Sequence, residues 1–142
     1  MKKLIAFSLV FAAVVGFVTL LTGEGQATSV ESKVAPYKMV ADLDVVMGYL
    51  GDLFDEIPEK VKANRIRKIR TEAMFLAELT NVSSYSKDWR EENGWSGYMK
   101  SMKSDFVAMS AAAKKKDKEK VSALHKKITG TCDACHEKIR DA

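Results

Sequence analysis

Cysteine, proline and histidine are all scarce in this 142-residue chain, which has 2 of each. Two cysteines are too few for a disulfide-stapled scaffold or a four-cysteine metal site. Two prolines and 8 glycines exclude collagen-like and Pro/Gly-rich disordered classes. Charge of one sign is also in short supply. The formal net charge is only +4, far from the dense basic stripe that nucleic-acid binding requires, so no nucleic-acid partner is expected. What remains, 46% hydrophobic and 30% charged residues, is the composition of a globular protein with one ordinary domain.

A long apolar run occurs once. Met1-Lys2-Lys3 is a short basic start, and the 18 residues from Leu4 to Leu21 are interrupted only by Ser8, Gly16 and Thr19. Gly25-Gln26-Ala27 then offers small residues at −3 and −1 for cleavage before Thr28. This is the layout of a secretory signal peptide over residues 1–27. Its apolar run nears the lower length of a spanning helix, so cleavage and retention as a membrane anchor both stay open. Either outcome places residues 28–142 outside the cytoplasm, in the periplasm. Lys2, Lys3 and Glu24 belong to the leader, so the remainder carries a net charge of +3.

Beyond the leader the apolar residues follow a helical period. Val40, Leu43, Met47, Leu50, Phe54 and Ile57 form one stripe, with Pro36 in the first turn and Pro58 as the stop. Ile66, Ile69, Ala73, Leu76 and Thr80 form a second, ending at a break over residues 81–86. After a polar loop containing Asn93-Gly94, Trp95, Met99, Met102, Phe106, Met109 and Ala113 form a third. Lys114 to Lys118 reads as a charged turn in which Asp117 is the N-cap. Val121, Leu124, Ile128, Cys132, Cys135 and Ile139 form the last. Four amphipathic helices with short connections predict an all-α, antiparallel four-helix bundle.

Both cysteines fall in Cys132-Asp133-Ala134-Cys135-His136, a C-x-x-C-H motif. The spacing suits covalent haem. Two thiols add across the two vinyl groups, and the next residue supplies an imidazole to the iron. A thioredoxin-like C-x-x-C needs a βαβ context that is absent here. Zinc would need His125 as a fourth ligand, yet His125 and Cys132 lie seven apart, about 10 Å along one helix. The motif thus predicts one covalent haem c on the C-terminal helix, with Cys132, Cys135 and His136 holding it.

A C-terminal C-x-x-C-H in an exported four-helix bundle resembles the class II cytochromes c, the group of cytochrome c′ and its low-spin relatives. The family ending is this motif followed by an aromatic residue and Arg. Here Arg140 matches, and Ile139 stands where Tyr or Phe is usual. The resemblance implies that Arg140 lies near a haem propionate, that the first helix covers the open face of the iron, and that two copies pair through helices as a homodimer. It also implies a choice at the sixth position. Low-spin members place Met there, and Met47 holds the corresponding place in the first helix, with Met39 second. Cytochrome c′ places an apolar, non-ligating side chain, a role open to Val40, Leu43 or Leu50.

Two functions follow. With Met47 on the iron the protein carries single electrons between redox partner proteins. Without it, a five-coordinate iron binds a diatomic gas, NO or CO. No nucleophile–base constellation suggests an enzyme, and a peroxidase would want a distal His or Arg that the first helix lacks. Met74, Met99, Met102 and Met109 read as core filler. Trp95, Tyr98 and Phe106 are candidates to pack on the porphyrin, and Gly130 is a candidate for close approach to its edge. Lys114, Lys115, Lys116, Lys126, Lys127 and Lys138 are candidates for a docking patch near the haem edge.

Overall fold

Apolar residues that recur every three or four positions share one side of the chain only if it coils as a helix. The protein does so along most of its described length. The structure, a computed structural model, describes residues 37–86 and 94–140, the side chain of Arg140 excepted. The leader read over residues 1–27, Pro36 and Asn93 lie outside the described residues, which all belong to one compact unit spanning residues 36–142. Helix α1 covers Leu43–Asp55, α2 Ile57–Lys62, α3 Ile66–Ser83, α4 Trp95–Lys114 and α5 Lys118–Cys135; a π-helical turn, His136–Arg140, follows directly. α1, α3, α4 and α5 make an antiparallel four-helix bundle, with α2 inserted between α1 and α3. No strand occurs among the described residues, and none of their helices is long and apolar enough to cross a membrane.

The stripes of α3 and α4 are buried in full. Ile69, Ala73, Leu76, Phe106 and Met109 have no exposed surface, and burying each of the larger ones stabilises the fold by about 1.5–3 kcal/mol. These two helices share the most extensive interface, α5 packs against α4, and α1 lies along α3. Helix ends follow local rules. Asn64 and Lys116 take positive φ after α2 and α4. The N–H groups of Arg65 and Asp117 reach back to the carbonyls of Lys60 and Ala112 at 2.8 and 3.1 Å, the Schellman arrangement. Asp117 caps α5 as expected: its side chain accepts from the Lys120 N–H at 2.9 Å.

The first stripe needs correction at both ends. The helix begins at Leu43, not near Pro36, and Val40 stands before it at 97% exposure. Pro58 does not end a helix but occupies the first turn of α2, where its missing N–H costs nothing. α2 is tied down by Lys60, which is buried and bridges Glu56 at 2.7 Å and Glu72 of α3 at 2.8 Å. Burial alone would lower the Lys60 pKa, but the two carboxylates outweigh it and raise it. Lys60 in turn holds Glu56 below the usual carboxylate range.

Candidate functional site

The backbone of α1 runs close to α3 but, among the described residues, makes no extensive approach to α4 or α5. The gap is a cavity of about 510 Å³, within the roughly 300–1,000 Å³ typical of small-molecule and cofactor sites. α1 contributes Leu43, Met47, Leu50 and Phe54 to its wall, α4 contributes Trp95, Met99 and Met102, and α5 contributes Cys132 and Cys135. His136 and Ile139 of the π-turn complete it. Residues 132, 135, 136 and 139 share a face because they sit three and four apart. The register changes at His136 itself, and π-turns of this kind recur at functional sites.

Two further lining residues have no side chain at all. Gly48 and Gly51 lie three apart on the cavity side of α1, and a Cβ at either would meet nothing within 4 Å. Glycine inside a helix costs about 1 kcal/mol relative to alanine. Here the pair leaves open space in the wall of the cavity that Cys132 and Cys135 also line.

Both cysteines are free thiols, Cys135 buried and Cys132 half-buried. Burial, reinforced by the negative charges of Asp133, Cys135 and Asp55, pushes the Cys132 thiol up to about 11. Burial likewise raises Cys135. Both are therefore protonated at neutral pH, unlike the low-pKa thiolate of a redox or nucleophilic cysteine. No group of three or more His, Cys, Asp or Glu among the described residues could hold a metal ion, so the zinc alternative has no geometry behind it. His125 is stacked on Phe54 with ring centroids 4.2 Å apart, on the far side of that wall residue, and does not line the cavity. Burial lowers its pKa, partly offset by the Phe54 carbonyl and Asp55.

The sequence profile of the cytochrome c′ family matches residues 53–140. The chain belongs to the cytochrome c′ family. No curated protein and no solved structure matches it. As a family member it is a haem-binding cytochrome, and the cavity suits that group: an apolar slot, two thiols one helical turn apart, an imidazole beside them and an open glycine wall. The matched stretch includes Cys132, Cys135, His136 and Arg140 but begins at Leu53. Leu43, Met47, Gly48, Leu50 and Gly51 lie before it, so of the α1 wall only Phe54 and Asp55 fall within the match.

The structure brings Cys132, Cys135, His136 and Met47 to one cavity. The Arg140 side chain lies outside the described residues. Met39 precedes α1 and does not line the cavity, and neither does Val40; of the three apolar candidates only Leu43 and Leu50 do. Trp95 lines it, whereas Phe106 sits behind Phe54 in an edge-to-face contact at 5.7 Å. Tyr98 and Gly130 line a separate groove between α4 and α5 and not this cavity. Met99, Met102 and Met109 are core as expected, but Met74 is 43% exposed because it lies off the α3 stripe. Among the described residues no lysine lines the cavity. Its charged wall residues are Asp44, Asp55 and Asp133, and from Asp42 to Glu56 the chain carries five acidic side chains and no basic one. Lys127 is paired with Asp105 at 2.7 Å, and Lys114–Lys116 lie at the other end of α5 from the cysteines. Sequence reasoning missed Gly48 and Gly51, although two glycines three apart within an apolar stripe were there to be read.

Proposed function

We propose that this cytochrome is exported to the periplasm and carries single electrons through one haem c. Cys132 and Cys135 attach the haem, and His136 and Met47 are the axial ligands. The observation that carries this reading is the position of Met47: its wall of the cavity, α1, stands apart from α5, which bears the cysteines. A haem held between imidazole and thioether supplies a one-electron couple without gain or loss of a ligand, at a potential raised by the sulfur. The polypeptide's part is to fix two ligands from different helices, to exclude water with Leu43, Leu50, Phe54 and Trp95, and to leave one side open. Redox partner proteins meet that open side, where Asp44, Asp55 and Asp133 set the local charge and favour brief encounters with a basic surface. Arg140 pairs with a haem propionate.

A five-coordinate, gas-binding cytochrome is the second reading. One observation favours it: the Met47 sulfur already has a partner, the Ser83 hydroxyl, at 3.7 Å. With the sulfur held there, Leu43 and Leu50 leave an apolar face suited to NO or CO. Visible spectra of the oxidised and reduced protein, with and without CO, separate the two. An electron carrier shows a low-spin ferric spectrum with a weak far-red sulfur-to-iron band, lost in the near-isosteric Met47→Leu. A high-spin spectrum that is unchanged in Met47→Leu and shifts fully with CO makes gas binding the function.

A further inference from the structure

The sulfur of Met47 is engaged from behind. Ser83, in the last turn of α3, has no exposed surface and does not line the cavity. Its Oγ lies 3.7 Å from Met47 Sδ and 2.8 Å from the carbonyl oxygen of Leu79, one turn back in the same helix. The hydroxyl has one proton and two acceptors in reach. The Leu79 contact has the length of a good O–H···O bond, and the sulfur contact has the longer separation that thioethers show. Met47 has three rotatable bonds and a polarizable sulfur, so where it rests within its range is decided by weak contacts of this kind.

We propose that Ser83 is a latch on Met47, a positioning residue that competes with iron for the thioether and thereby sets how readily the sixth position opens. This rests on the reading of Met47 as axial ligand. When the sulfur sits on Ser83 the site is open to a diatomic ligand; when it leaves, the hydroxyl gives its proton wholly to Leu79. No buried donor is stranded in either state, so leaving Ser83 costs the thioether no more than one weak hydrogen bond. Such a latch makes one protein capable of both behaviours, with the balance written in a single hydroxyl on a helix that contributes no residue to the cavity lining among the described residues.

The test is a four-member cycle in the haem-loaded protein: wild type, Ser83→Ala, Met47→Leu and the double variant. Ser83→Ala is mild, since it removes a donor without leaving a buried acceptor unserved: the Leu79 carbonyl is also a helix acceptor. CO titration of the ferrous protein and the far-red band of the ferric protein are the readouts. Freed of its competitor, Met47 occupies the iron more fully in Ser83→Ala. The ratio of ligated to open iron rises about two- to fivefold, the lower part of the range for one net hydrogen bond. CO affinity falls by that factor where the wild type is mostly ligated, and the far-red band grows by it where the wild type is mostly open. In the Met47→Leu background Ser83→Ala changes neither readout, because the effect runs through the sulfur. If Ser83→Ala leaves both readouts unchanged, raises CO affinity or weakens the band, or shifts CO affinity equally in both backgrounds, the latch is refuted. Should Met47→Leu itself change neither spectrum nor CO affinity, the ligand assignment fails, and the latch fails with it.

Discussion

The bundle has one closed side and one open side, and they differ in what their helices bury. α3 and α4 bury their whole stripes, and Ile69, Leu76, Phe106 and Met109 touch no solvent. α1 buries only Val46, Leu50 and Phe54, leaves Val45 and Tyr49 more than half exposed, and lines the cavity with its remaining inner residues. The closed pair gives the molecule its stability. The loosely seated helix leaves the cavity open and brings Met47 to its wall. A stripe of the right period can serve either purpose, and what separates them is whether a neighbour lies opposite.

The largest difference between the two sides shows in cavity-creating substitutions. Leu76→Ala should cost about 2–5 kcal/mol in urea denaturation of the haem-free protein. Leu43→Ala, half-buried at a wall already facing open space, should cost about 1 kcal/mol or less by the same measurement, since little new cavity is made. Equal costs would remove the distinction. Next comes the glycine wall. Gly51→Ala should stabilise the haem-free protein by about 1 kcal/mol through helix propensity, whereas the bulkier Gly48→Leu and Gly51→Leu should reduce haem incorporation, measured by the ratio of haem to protein absorbance. Full incorporation in both Leu variants would mean that this wall is not the haem's.

How far the sequence revealed this arrangement depends on the kind of information each part needs. The four stripes, the Asp117 cap and the C-x-x-C-H motif are local in sequence, and all were legible. The start of α1 was not, because Val40 continues the spacing but stands before the helix with nothing to pack on. Nor was Pro58 as a helix opener, because a proline after an apolar run fits a stop as well as a start. The roles of Trp95, Met99 and Met102 as cavity wall, and of Phe106 as backing, depend on how far α1 stands from α4. That distance is a tertiary quantity which periodicity does not encode. The Ser83–Met47 contact spans 36 positions and falls in the same class.

The smallest predicted effect lies where the two sides meet, at His125 stacked behind Phe54. Its pKa is depressed from an ordinary value of 6.5 chiefly by burial. The unfolded chain therefore binds a proton there more readily than the folded one. Stability is unaffected above about pH 6.5 and falls as pH drops below it toward the depressed folded value. With the ring less than half buried, the loss should be under about 1 kcal/mol. It should vanish in His125→Phe, which keeps the stack and removes the proton. Denaturation midpoints between pH 7.5 and 5 for the two proteins check this, and an identical decline in both would assign it elsewhere.

The central claim is that the cavity between α1 and the α4–α5 pair takes one haem, bonded to Cys132 and Cys135. The most direct test is the intact mass of protein matured in a host that attaches c-type haem, measured after acid–acetone extraction. The expected mass is that of the polypeptide plus one haem, and that of the bare polypeptide for the variant with both cysteines changed to alanine. A wild-type mass without haem, or haem retained by the double variant, would contradict it.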